Sequence, residues 1–233
     1  MRRALFTFAC VFALACTDDP ADESASETAG SETETDSGAS ETATGETAGE
    51  TDSTETGGGP YGHGNLHPDC MGESPRVVFE TNMGDMTVEL DAVHAPITVA
   101  NFLGYVSSEF YDGTIFHRVI DGFVIQGGGY EPGMIEKTTV GPIVLEIAPE
   151  LRHDDGAIAM ARRQEPDTAE SQWYICDGAQ HGLDDQYAVF GVLIEGFEVR
   201  DAISGVAVQD VPAPFTDVPV EDVVVERAYC VMQ

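Results

Sequence analysis

The chain has 233 residues and a formal charge of −32, set by 42 Asp and Glu against 10 Lys and Arg. An excess of that size excludes a basic face for nucleic acid or anionic lipid. No apolar run approaches the roughly 20 residues that a membrane-spanning helix requires.

Met1-Arg2-Arg3 and the apolar stretch Ala4 to Ala15 have the charged start and short hydrophobic middle of a secretory signal, so residues 1–15 are expected to direct export. Ala13-Leu14-Ala15-Cys16 resembles a bacterial lipoprotein signal, which implies lipidation of Cys16; ordinary cleavage after Ala15 and an uncleaved anchor are the alternatives. Residues 16–59 hold 13 of the acidic residues, no Lys or Arg, and little that is apolar. This Ser/Thr/Glu/Gly-rich tract is expected to be a disordered spacer. A lead-in segment, 60–75, carries His63, His67 and Cys70, but a fourth ligand at fitting spacing is missing, so no metal site is expected.

From residue 76 the pattern changes to that of one folded domain, 76–233. Arg76–Glu80 and Met86–Leu90 flank a Gly-bearing turn and read as a β-hairpin. Pro96 then opens a helical pattern with Ile97, Val99, Phe102, Leu103 and Val106 on one face. Strand-like runs follow at 114–120, 123–126, 156–161, 172–176 and 188–193. A second helix is expected at 197–203 and a last strand at 223–229. The total is mainly β, two helices capping a closed or sandwiched antiparallel sheet.

The sequence lacks a Gly-x-Ser-x-Gly elbow, a P-loop, His-Glu-x-x-His and Cys-x-x-Cys, which lowers the case for hydrolysis and redox chemistry. Gly127-Gly128-Gly129 is read as a tight loop beside a site. What stands out is Phe116-His117-Arg118-Val119-Ile120 followed by Gly122-Phe123-Val124-Ile125-Gln126-Gly127-Gly128. With Asn82-x-Gly84-Asp85, Ala95-Pro96-x-Thr98-Val99-x-Asn101-Phe102, Tyr111-Asp112-Gly113-Thr114, Ala159-Met160-Ala161-Arg162, Ser171-Gln172-Trp173-Tyr174-Ile175 and Val189-Phe190-Gly191, the chain resembles the cyclophilin-type peptidyl-prolyl cis-trans isomerases, bacterial branch, from about 76 to 230.

The resemblance implies a closed eight-stranded antiparallel barrel capped by two helices. It also implies isomerisation of Xaa-Pro bonds without a cofactor or covalent intermediate. Arg118, Gln126 and Phe123 fall on the catalytic positions. Phe123, Val124, Tyr174 and Leu183 fall on the proline pocket, Ala161, Arg162 and Gln172 on the groove before it, and His117 and Tyr187 at its edge. Two departures stand out: Trp173-Tyr174 occupies a pair that is commonly Phe-Phe, and Gly182 replaces the Trp of eukaryotic members. In the family the first and last strands are neighbours, so an exported chain could pair Cys70 with Cys230, while Cys176 reads as a buried free thiol. Expected partners are proline-containing segments of unfolded or exported proteins, met by a monomer in the cell envelope whose sole membrane contact is a lipid anchor. The alternatives are a non-catalytic proline-peptide receptor or chaperone, and a purely structural acidic surface protein.

Overall fold

The computed structural model describes residues 66–212 and 214–231. The signal segment, Cys16, the acidic tract and His63 lie outside the described residues. The elements are β1 (Arg76–Thr81), β2 (Gly84–Leu90), α1 (Pro96–Ser107), β3 (Arg118–Ile120), β4 (Val124–Gly127), β5 (Tyr130–Glu131), β6 (Ile135–Glu136), β7 (Ala157–Met160), β8 (Trp173–Cys176), β9 (Val189–Glu195), α2 (Phe197–Ser204), β10 (Val208–Gln209), β11 (Val218–Pro219) and β12 (Val225–Val231). Single 3₁₀ turns sit at Pro68–Cys70 and His181–Leu183.

Eight of these strands make one curled antiparallel sheet in the order β12-β1-β2-β9-β7-β8-β4-β3. In β1 and β2 every second residue is buried, as a strand with one wet face requires. β4, β7 and β8 are buried throughout, because both of their faces are covered. One in-register row, Val119–Ile125–Ile175–Ile158–Gly191, faces the core. Inside, Phe79, Phe102, Tyr111, Trp173 and Phe190 pack ring to ring, Trp173 lying 4.5 Å from Phe79 and edge-on to Phe116 at 5.5 Å.

The closed barrel of the sequence expectation is narrowed by one gap. No ladder joins the end strands β12 and β3. Their flanking segments meet at a single bridge, Ile115 to Val224, supported by Phe116 N–H donating to Val223 O at 2.9 Å and Val225 N–H to Thr114 O at 2.8 Å. The expected strand 114–120 is therefore regular only over Arg118–Ile120. Ahead of it Gly113 turns with φ 77°, and the Thr114 hydroxyl donates to Tyr111 O at 2.6 Å, which ties that stretch into a turn.

α1 starts at Pro96 without a side-chain cap on Ala95. A distant carboxylate takes the cap's place: Glu146 accepts from the Thr98 N–H at 2.8 Å and the Ile97 N–H at 3.2 Å. α1 packs on β12, and α2 packs on β2, β3 and β4. Cys70 and Cys230 form a disulfide, Cα to Cα 5.2 Å, which fastens the segment before β1 to the end of β12. Cys70 is thus occupied by sulfur rather than offered to a metal. Cys176 is a free thiol buried in β8, and burial pushes its pKa up to about 12.

Candidate functional site

The outward-facing row of the same strands carries the candidate site. Arg118 on β3 is in register with Gln126 on β4, which is in register with Tyr174 on β8, then Ala159 on β7 and Val189 on β9. Register partners on adjacent antiparallel strands point to the same face about 5 Å apart, so a guanidinium, an amide and an aromatic ring stand side by side across three strands. The pairing Gly127 with Trp173 turns that indole inward, and the next residue, Tyr174, outward.

Around this row the sequence-predicted residues fall into two adjoining sets. His117, Arg118, Gln126, Ala161, Arg162 and Gln172 line a cavity of about 220 Å³. Val124, Ala157, Ala159, Ala161, Tyr174, Cys176 and Val189 form an apolar cluster outside the sheet, against which Phe123, Leu183 and Tyr187 pack. Ala161 belongs to both sets. Gln126 links them, since it lines the cavity and pairs in register with Tyr174. Its amide N–H donates to Gln172 Oε1 at 3.1 Å.

Each side chain is placed by an identifiable contact. The loop after β4 lies flat because Gly128, at φ 82°, and Gly129 carry no Cβ; a Cβ on either would come within 2.6 Å of Trp173 or Gln172. This matches the tight loop read from the glycine run. Tyr111 Oη donates to Ser171 O at 3.0 Å, and Asn101 Nδ2 on α1 donates to Glu170 O at 2.8 Å, so the segment leading into β8 is fixed from the core side. The Arg162 guanidinium spends its donors on the main chain, reaching Gln186 O at 2.9 Å, Arg163 O at 2.9 Å and Gln164 O at 2.8 Å, and it lies over the Tyr187 ring at 4.8 Å. Its side chain therefore shapes the groove wall.

His117 is buried edge-on against Tyr130, ring centroids 4.8 Å apart. Burial, helped by the adjacent Arg118 charge, lowers its pKa to about 4, so the ring is neutral at pH 7. Two ion pairs involve the cavity lining: Arg163 meets Glu170 at 3.0 Å, and Lys137 meets Glu131 at 3.6 Å. The row's one hydroxyl, on Tyr174, is bonded to His153, and what the row offers a ligand is donation and apolar contact.

Sequence reasoning passed over Tyr130, Lys137, Arg163, Glu170 and Phe215 of the cavity lining. His153 and His181 carry no motif that the sequence sets apart. Both are in loops or turns, but the His153 ring is fully buried and bonded to Tyr174. A His between Arg152 and Asp154 in a polar loop gives no pattern from which such burial follows.

Comparison with known proteins gives the class. The family model "Cyclophilin type peptidyl-prolyl cis-trans isomerase/CLD" matches residues 76–229, and the chain belongs to this family. It is 44% identical over 160 residues to the peptidyl-prolyl cis-trans isomerase A of Dickeya dadantii, covering 66% of this chain and 84% of that protein. It is 43% identical over 158 residues to the peptidyl-prolyl cis-trans isomerase B of Escherichia coli, covering 64% of this chain and 96% of that one. A crystal structure of a Cryptosporidium parvum cyclophilin-type isomerase, solved in the presence of the dipeptide Ala-Pro, superposes with a TM-score of 0.58 at 30% identity, covering 68% of this chain and 99% of the other.

Proposed function

We propose that this isomerase turns Xaa-Pro bonds of exported proteins in the cell envelope, with Arg118 stabilising the twisted imide and the apolar cluster gripping the proline ring. Rotation about the bond breaks amide resonance against a barrier of about 18–20 kcal/mol and takes tens to hundreds of seconds unaided. Nothing covalent need form. In the twisted state the proline nitrogen regains its lone pair and accepts a hydrogen bond. A guanidinium is a fork of donors that stays charged at every relevant pH, so Arg118 favours the twisted state over either planar one.

Raising a rate of about 10⁻² per second to about 10³ per second takes five decades, or about 7 kcal/mol. One preorganised donor typically supplies about 3–4 kcal/mol. The remainder falls to holding the ring among Phe123, Val124, Tyr174 and Leu183 while Gln126, Gln172 and the Ala161–Arg162 backbone hold the preceding residues. His117 and Tyr187 bound the site at its edges. The observation that carries this reading is the register row Arg118–Gln126–Tyr174 laid beside the apolar cluster. The related enzyme solved with Ala-Pro supports a proline-containing ligand here.

The test is a proline-peptide isomerisation assay on the full chain. Arg118→Ala is expected to lower kcat/KM by about 10²- to 10³-fold; a variant as fast as wild type would sink the mechanism. Export rests on residues 1–15 and on the Cys70–Cys230 disulfide, since such bonds persist in oxidising compartments. Anchoring rests on Cys16. Cell fractionation reads both: the chain is expected with the envelope membranes, and Cys16→Ala in the soluble envelope fraction. Recovery of the wild-type chain in the cytosol refutes export.

A further inference from the structure

The phenol at position 174 raises a chemical question. A wall of a slot built for a pyrrolidine ring should offer carbon, and a buried hydroxyl needs a partner. The partner is His153: its Nε2 lies 2.9 Å from Tyr174 Oη, and the two rings are within 14° of parallel. Behind the imidazole, Nδ1 lies 2.9 Å from Asp184 Oδ1, which also accepts from the His153 backbone N–H at 2.9 Å. The other carboxylate oxygen, Oδ2, accepts from Arg152 Nε and Nη2 at 3.0 and 2.9 Å and lies 3.2 Å from His181 Nδ1. Gln180 N–H donates to His153 O at 2.7 Å and binds the same two loops together.

We propose that Asp184 and His153 are positioning residues that hold the Tyr174 hydroxyl away from the substrate, so that the slot keeps an apolar wall.

Donor and acceptor roles fix the direction of the chain. An ionised carboxylate can only accept, so His153 Nδ1 carries the proton; Nε2 of the neutral ring is then an acceptor, and the phenol donates to it. Burial, outweighing the attraction of Asp184, lowers the His153 pKa and keeps the ring neutral. Burial alone would raise the Asp184 pKa, but the His153 and Arg152 hydrogen bonds more than offset it and keep the group ionised.

The Tyr174 hydroxyl, both His153 ring nitrogens and both Asp184 oxygens have partners without using the slot. Asp184 also directly follows the 3₁₀ turn His181–Leu183, so the turn that delivers Leu183 to the apolar cluster delivers Asp184 to His153. One turn therefore sets both a rim residue and, through two hydrogen bonds, the opposite ring. This proposal rests on the site reading above.

Two measurements on the full chain test it. Long-range proton–nitrogen NMR at pH 7 is expected to find His153 as the Nδ1–H tautomer; the Nε2–H tautomer overturns the donor order. In the isomerisation assay, His153→Gln is expected to raise KM about fivefold while kcat stays within about twofold. In a Tyr174→Phe background the same substitution is expected to change neither. Equal effects in both backgrounds, or a loss confined to kcat, refute the positioning role. Arg118→Ala run alongside separates the two readings: if its rate is lost while the double-mutant cycle is additive, only the positioning role fails, and if its rate is kept, the site itself is misassigned.

Discussion

The disulfide gives the most quantitative prediction. Cys70 and Cys230 are 160 residues apart, so the bond closes a loop that contains every strand and both helices of the domain. In the chain-entropy account, closing a loop of that length removes about 5 kcal/mol of freedom from the unfolded state. Both cysteines are already buried in the folded domain, at 2% and 8% exposure, so replacing both by Ala exchanges little else. For a domain of this size each kcal/mol moves Tm by about 2–4 °C, so Cys70→Ala with Cys230→Ala is expected to lower Tm by about 10–20 °C. Reductant should then have no further effect on the variant, while it lowers the wild type to a similar value. The candidate site lies on β3, β4, β7 and β8, while the disulfide sits at the end of β12 opposite its bridge to the segment before β3, so kcat/KM at room temperature is expected within about twofold of wild type. Calorimetry of the two proteins with and without reductant decides the matter. A shift under about 4 °C, or lost activity at unchanged Tm, would refute the reasoning.

Acid should destabilise the domain through His117. The unfolded chain takes up this proton near pH 6.5 and the folded one only near pH 4, so the unfolded state binds more protons between those values. The His117 contribution is complete above pH 6.5 and is lost progressively towards pH 4, about 3 kcal/mol in all. His153, also lowered by burial, acts in the same sense. Urea titrations at pH 7 and pH 4 are expected to show a smaller acid loss for His117→Asn than for wild type; equal losses count against it. Glu146→Ala should cost about 1–2 kcal/mol by uncapping α1, with Glu146→Gln losing less, as urea midpoints at pH 7 would read; an unchanged midpoint removes the remote cap from the account.

Much of the fold is legible in local pattern. Alternation in Arg76–Leu90 gives the first hairpin, and Pro96 with its apolar spacing gives α1, because burial on one face leaves a period in the sequence. The buried runs at β4, β7 and β8 are legible as strands but not as strands covered on both sides. The two-residue ladders β5–β6 and β10–β11 leave too short a signal to read. The last strand is displaced by two residues, Val225–Val231 in place of 223–229, since Val223 and Val224 are taken up by contacts to Phe116 and Ile115. Of the candidate site, motif order locates Arg118, Gln126 and the apolar residues. It is blind to Asp184–His153–Tyr174 and to Glu146, whose partners lie 21 to 49 positions apart and meet only once the chain is packed.

The crosslink also decides how the domain bears a load. Tension arriving along the chain ahead of residue 70 passes through the sulfur bridge to Cys230 at the end of β12 and bypasses the positions between. A tug on the leading end is held at the bridge and cannot peel β1 from its neighbours. A domain pulled from its front would thus keep the β3–β4–β8 row out of the line of force.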